Sequence, residues 1–153
     1  ISLQDIIEHY ESDHEIWWQG EKHEKILSQI PDHQLDYLKS HKNDQEFSYG
    51  TLFRRMRKGK STAELRNDGI AGCLRTPRGG SSKQILGRSG KGEILFRLLT
   101  PREYARLQGV NDEFLLSDKN TNSYFAMGDA VCVPAINWIA QNYLNKLVNP
   151  EVI

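Results

Sequence analysis

The sequence has little that would cross-link, chelate or insert. Two cysteines stand in 153 residues, Cys73 and Cys132, in unrelated contexts with no C-x-x-C or Cys/His spacing. That argues against a disulfide framework or a zinc site and predicts two packed thiols. No apolar run approaches the roughly 20 residues of a membrane helix. The opening ISLQDIIEHYESDHE is too acidic for a signal or transit peptide, so the expectation is a soluble, intracellular protein with no membrane partner. Apolar residues make up 38% of the chain, which predicts one domain of ordinary size with a modest core. The first residue is Ile rather than Met, and the chain reads as a piece of a longer protein.

Catalytic motifs are also lacking. Gly59-Lys60-Ser61 ends like a phosphate-binding loop, but the residue five positions before Gly59 is Arg54 where that loop needs glycine. GRSGKG at 87–92 is not G-x-G-x-x-G and reads as a hairpin turn. His9, His14, His23, His33 and His41 form no H-E-x-x-H, so no metal site is expected, and no serine sits in a G-x-S-x-G elbow.

What is present is charge, sharply separated. The totals, 20 basic and 20 acidic residues, cancel. Residues 1–46 hold 11 acidic and 4 basic side chains, whereas residues 54–91 hold 11 basic and 2 acidic ones, Glu64 and Asp68. Such a basic stretch repels itself unless a polyanion lies along it, and nucleic acid is the leading candidate. The alternative is a solvated face that pairs with the acidic first third, or a module that binds an acidic protein.

The pattern from Glu21 to Lys42 predicts two short helices, with Ile26, Leu27 and Ile30 on one stripe and Leu35 and Leu38 on the next. Asp32, after Pro31, suits the N-cap of the second. FSYGTLF at 47–53 reads as a short strand. From 69 to 97 the pieces GIAGCL, KQIL and EILFRLL read as small strands joined by glycine-rich loops. Thr100-Pro101-Arg102-Glu103 carries a cap hydroxyl, a first-turn proline and a capping-box acid, so a helix runs to about Gln108 and stops at Gly109. A last helix starts at Pro134 with Ile136, Ile139, Ala140, Tyr143, Leu144 and Leu147 on one face, which must bury against something.

RLLTPREYARLQG at 97–109 and YFAMGDAVCVPAINWIA at 124–140 resemble the last two signature blocks of the DNA methyltransferases that modify cytosine at the 5-position. SLQDIIE and GIAGCLRTPRGGSSKQ resemble the exit from that family's catalytic domain and the end of its recognition region. The family's methyl-donor glycine motif, Pro-Cys nucleophile, Glu-Asn-Val acid and Gln-x-Arg-x-Arg block have no counterpart in this chain. The resemblance therefore implies the C-terminal part, with residues 1–96 as target-recognition region (acidic and helical over 1–46, basic β and loop over 47–96) and 97–153 as a helical return to the catalytic domain. The implied fold is α+β for this piece, attached to an α/β domain that uses S-adenosylmethionine.

The resemblance also implies the chemistry of the whole enzyme. A flipped cytosine is attacked at carbon 6 by a thiolate, and carbon 5 takes the methyl group. No catalytic residue for those steps is expected here, and the piece should be inactive alone. Arg75, Arg78, Gly79, Gly80, Ser81, Ser82, Lys83 and Gln84 are the implied face toward double-stranded DNA, with Arg54, Arg55 and Arg57 as second choice or, alternatively, a solvated helix face. Asp129, Ala130 and Val131 are the implied contribution to the cofactor pocket, with Asp129 where the family usually has asparagine and Cys73 where it often has threonine. Arg102 and Arg106 are expected to brace the recognition domain. The implied setting is the bacterial cytoplasm, associated with the nucleoid, beside a missing catalytic domain or subunit. The last helix is free to pair with that lobe or with a second copy. The rival expectation is a standalone DNA-binding protein or the non-catalytic subunit of a split methyltransferase.

Overall fold

The computed structural model describes residues 2–57, 59–77 and 82–148. The glycine-rich middle of the chain satisfies its backbone in one antiparallel sheet of order β2-β1-β3-β4, built from β1 (Ser48–Arg57), β2 (Lys60–Arg66), β3 (Ile85–Gly90) and β4 (Glu93–Leu98). β1 and β2 form a hairpin in which Thr51 faces Arg66 and Arg57 faces Lys60. β3 and β4 form the second hairpin, turning at Lys91-Gly92, where φ is 52° and 88°. GRSGKG is thus four residues of strand followed by a two-residue turn.

The strand expected over 47–53 continues to Arg57, and β2 was not anticipated. Arg54, Arg55 and Arg57 therefore stand on a strand, not on a helix face. The cause is cross-strand pairing: Leu52 meets Leu65 on one side and Ile85 on the other, and these side chains are buried.

Helices cover both faces of the sheet. α2 (Gly20–Gln29) and α3 (Asp32–Ser40) place Ile26, Ile30 and Leu38 on Leu52, Ala63, Leu65, Ile85 and Phe96. Gly87 sits between Leu52 and Phe96, where a methyl group would stand 3.1 Å from one and 3.3 Å from the other. Strand residues alternate sides, so Leu86 joins the opposite cluster. There α1 (Leu3–Ile6), α4 (Pro101–Leu107) and α5 (Asn120–Asp129) pack Leu3, Ile6, Trp17, Leu99, Tyr104, Tyr124 and Met127 together. The architecture is α+β.

Asp32 is not the cap of α3. Pro31 is, because its carbonyl already accepts the amides of Gln34 and Leu35, both at 2.9 Å, which leaves Asp32 as the first helical residue. The capping box of α4 forms as expected: the Thr100 hydroxyl accepts from the Glu103 amide at 3.2 Å, and the Glu103 carboxylate accepts from the Thr100 amide at 2.6 Å. The last helix begins at α6 (Val133–Ile139) and runs through a π-helical turn (Ala140–Leu144) into α7 (Asn145–Val148). Its apolar residues Ile136, Ile139, Tyr143, Leu144 and Leu147 are all exposed. No helix among the described residues is long and apolar enough to cross a membrane. Cys73 and Cys132 are exposed, contrary to the packed thiols expected. Cys73 lies in the irregular segment between β2 and β3, and Cys132 precedes the uncovered last helix.

One ion pair holds these parts together. Arg97 of β4 and Glu103 of α4 are both fully buried and joined twice, at 2.7 and 2.6 Å. Arg97 also donates to the Glu8 carbonyl at 3.0 Å, while Glu103 accepts the Glu8 amide at 2.7 Å. The first segment, the sheet edge and α4 therefore meet at one charged knot. Deeper in the same layer, the Tyr104 hydroxyl accepts from the Gln84 amide at 2.7 Å, and the Tyr124 hydroxyl donates to the Leu99 carbonyl at 2.6 Å.

Glu103→Ala leaves a buried guanidinium uncompensated and is expected to cost about 3–5 kcal/mol, read as a lower urea midpoint. A loss below about 1 kcal/mol would place the pair with ordinary surface pairs. Burial pushes the Tyr104 phenol up to about 12 from 10.0 and raises Tyr124 as well. The folded state thus favours the neutral phenols, so their contribution to stability is complete below pH 10.0 and lost as the pH rises towards about 12. Ultraviolet titration should show these two tyrosines ionising only as the protein unfolds. Phenolate from all six tyrosines in the still folded chain just above pH 10 would contradict this.

Candidate nucleic-acid interface

After β2, residues 67–77 form no strand. GIAGCL was expected as a strand. Instead its carbonyls are met singly: Gly69 by the Leu3 amide at 2.7 Å, Ile70 by the Thr51 hydroxyl at 3.4 Å and Cys73 by the Gln84 side-chain amide at 3.3 Å.

This segment and the β1–β2 hairpin enclose a cleft of about 390 Å³ lined by Phe53, Arg54, Arg55, Arg66, Cys73, Arg75, Ser82 and Gln84, with Gly72 at its floor. Arginines of β1, β2 and the irregular segment thus line it together; Arg54 and Arg55 are consecutive on β1, so their side chains leave opposite faces of the sheet. Two of the four arginines are braced. Arg55 donates through Nε to Glu64 at 2.6 Å and makes a second contact to the same carboxylate, and Arg66 straddles Asp68 at 2.8 and 2.9 Å. These bonds raise the affinity of both arginines for their protons and lower that of Asp68. Arg75 is exposed and has no carboxylate partner among the described residues. Glu64 and Asp68 are thus the acids that hold Arg55 and Arg66 in place.

The expected interface residues are distributed unequally. Arg75, Ser82, Arg54 and Arg55 come together at this cleft. Arg57 ends β1 opposite Lys60. Gln84 is at the floor, 3% exposed, with the Oε1 atom buried and unpaired and its amide tying down Cys73. A methyl group at Gly72 would stand 2.7 Å from that oxygen, so a larger residue there would turn the Gln84 amide aside. Lys83 points elsewhere, its ammonium 4.3 Å above the Tyr124 ring in a neighbouring cleft. Arg78, Gly79, Gly80 and Ser81 lie outside the described residues.

Asp129 ends α5, and its exposed carboxylate accepts the Thr76 hydroxyl. A methyl group on Gly128 would stand 2.6 Å from the Thr76 nitrogen, so the Arg75-Thr76 backbone rests directly on this turn. Val131 is 62% exposed. Gln108, which sequence reasoning passed over, holds the turn from below, donating to the Met127 and Ala130 carbonyls at 2.8 and 3.2 Å. Arg66 was likewise counted only as charge, and Arg97 only as a letter in a signature block. Arg106 pairs with Asp112 and donates to the Ile6 carbonyl at 3.1 Å, while Arg102 donates to the Asn111 and Phe114 carbonyls. No group of three or more metal-ligating side chains is found among the described residues.

The family model for the C-5 cytosine-specific DNA methylases matches residues 3–145. Three curated relatives are similar over shorter stretches. Type II methyltransferase M.HpaII of Haemophilus parainfluenzae is 40% identical over 62 residues, covering 39% of this chain and 17% of that protein. M.SsoII of Shigella sonnei is 41% identical over 51 residues, 33% of this chain and 14% of that protein. M1.ScrFI of Lactococcus lactis subsp. cremoris is 43% identical over 51 residues, 33% and 13% respectively. The alignments thus span less than a fifth of each relative's length.

The neighbours of Gly128 are backbone atoms that no rotamer change can move. Gly128→Ala should therefore displace the Arg75-Thr76 segment and cost about 1–3 kcal/mol, measured as a lower melting temperature. An unchanged melting temperature would show that the segment yields without cost.

Proposed function

We propose, from the premise that this chain belongs to the C-5 cytosine-specific DNA methylase family, that it is the target-recognition and C-terminal part of a DNA (cytosine-5-)-methyltransferase. In this reading residues 1–96 bind the duplex and 97–153 return to a catalytic domain. The observation that carries it is the outward-facing arginine cleft of β1, β2 and the 67–84 segment. Arginine suits guanine edges and phosphates alike. Arg54, Arg55, Arg66 and Arg75 supply salt-dependent grip on double-stranded DNA, and the loop around Arg78, Gly79, Gly80 and Ser81 adjoins Arg75 in sequence.

The residues around Asp129 fit one wall of a cofactor site. Val131 is uncovered, and Asp129 has its carboxylate engaged by Thr76 rather than left to repel an anionic group. S-adenosylmethionine supplies the methyl group when bound there. The reacting thiolate and acid come from elsewhere, because the chain has no Pro-Cys or Glu-Asn-Val. The uncovered face of the last helix is the surface assigned to that catalytic domain or subunit, with pairing to a second copy as its alternative. The setting is the bacterial cytoplasm at the nucleoid.

Fluorescence anisotropy with a labelled duplex tests the cleft. Arg75→Ala should weaken binding and flatten its salt dependence by about 0.9 in the slope of log affinity against log salt, and the chain alone should transfer no labelled methyl to the duplex. Unchanged affinity in the variant, or methyl transfer by this chain alone, would overturn the reading.

A further inference from the structure

We propose that a second cleft, between α2 and the root of the basic segment, seats a backbone phosphate of the DNA duplex, held by Lys22 and Lys25 with Arg54 and Lys83. This rests on the reading above that the chain grips DNA, and it adds the acidic first third of the sequence to the interface.

The cleft encloses about 270 Å³ and draws its cations from three places: Lys22 and Lys25 from α2, Arg54 from β1, and Lys83 from the approach to β3. Among the described residues no carboxylate lines it. Glu21 and Glu24, neighbours of the two lysines in sequence, are not among its walls. Lys22 and Lys25 are three apart on a helix and so share a face. Neither they nor Lys83 forms an ion pair among the described residues. Instead Lys22 lies 4.3 Å over the Trp18 ring and Lys83 lies 4.3 Å over Tyr124. Aromatic faces steady a cation without cancelling its charge. Partial desolvation against the Trp18 ring, and to a lesser degree Arg54, lowers the affinity of Lys22 for its proton. Gln29 and Thr121 add neutral hydrogen-bonding groups, and Ile26, Leu98 and Phe125 close the apolar sides.

The occupant follows from continuity. Arg54 lines both this cleft and the four-arginine cleft, so the two adjoin at β1 and offer cations to one extended polyanion. A phosphodiester is the group a duplex presents at every step, and such contacts position the protein without reading sequence.

The test is the salt dependence of affinity for a random-sequence duplex, compared between the wild-type chain and K22Q/K25Q. The slope of log affinity against log salt should become shallower by about 0.9 for the one phosphate lost, and K22R/K25R should restore it. Both lysines are exposed, so the urea midpoint should be unchanged, which separates lost contact from lost fold. Wild-type binding with an unaltered slope in K22Q/K25Q would overturn this inference and leave the four-arginine cleft standing. No duplex binding by the wild-type chain would overturn both.

Discussion

Placing a guanidinium and a carboxylate where neither touches water costs several kcal/mol per ion before their attraction is counted. Arg97 and Glu103 offset that cost through direction. Glu103 accepts two guanidinium bonds and the amides of Glu8 and Thr100, while Arg97 reaches the carbonyls of Glu8 and Leu98. The tyrosine and tryptophan rings of Tyr10 and Trp17 lie 5.2 and 5.3 Å from the guanidinium carbon. An apolar pair in the same place would pack, but it would not fix the first segment, the edge strand and α4 at one angle. That angle matters because α4 carries Tyr104 beneath Gln84 and Gln108 beneath the 127–130 turn. Both ends of the candidate interface stand on this helix.

The cleft above it illustrates how a rigid sheet holds like charges close. Four arginines within one concavity repel one another, and a flexible loop would let them disperse. Here Arg54, Arg55 and Arg66 are pinned by the β1–β2 ladder. Glu64 and Asp68 neutralise part of the charge and also fix direction: the bidentate pair sets the plane of the Arg55 guanidinium, and Asp68 holds Arg66 through Nε alone. The conformational cost of ordering long side chains is thereby met in folding rather than at binding. Arg75, on irregular backbone, depends on its neighbours instead, with Gly128 beneath its peptide and Asp129 on the next hydroxyl.

Much of this was legible wherever a single residue type carries a local instruction. Thr100, Pro101 and Glu103 announce a capped helix, Gly109 ends it, and the apolar stripes of α2 and α3 mark one face of the core. The hairpin of β1 and β2 was not legible, because Arg54, Arg55 and Arg57 show no alternation of hydrophobicity and KSTAELR is polar at every position but two. Burial of Ala63 and Leu65 follows from pairing with β1, a long-range fact. The opposite error arose at GIAGCL, whose apolar letters suggest a strand although its carbonyls are met singly by Leu3, Thr51 and Gln84. Charge summed by segment located the basic region but not its geometry. Lys83 belongs to that run and yet faces Tyr124, while Lys22 and Lys25, submerged in an acidic stretch, share a cleft with it.

The uncovered last helix and the arginine cleft are joined by one continuous set of contacts. Val133, the first residue of α6, donates its amide to the Gln108 carbonyl at 2.9 Å, and Pro134 lies so close to Gly109 that no side chain fits there. Gln108 in turn holds Met127 and Ala130, and the turn they flank supports Thr76 and Arg75. Whatever buries Ile136, Ile139 and Tyr143 therefore bears on the same turn that sets Arg75. The start of the last helix and the Arg75-Thr76 peptide thus rest on the same residues, Gln108 and Gly128, and a shift of either bears on the other.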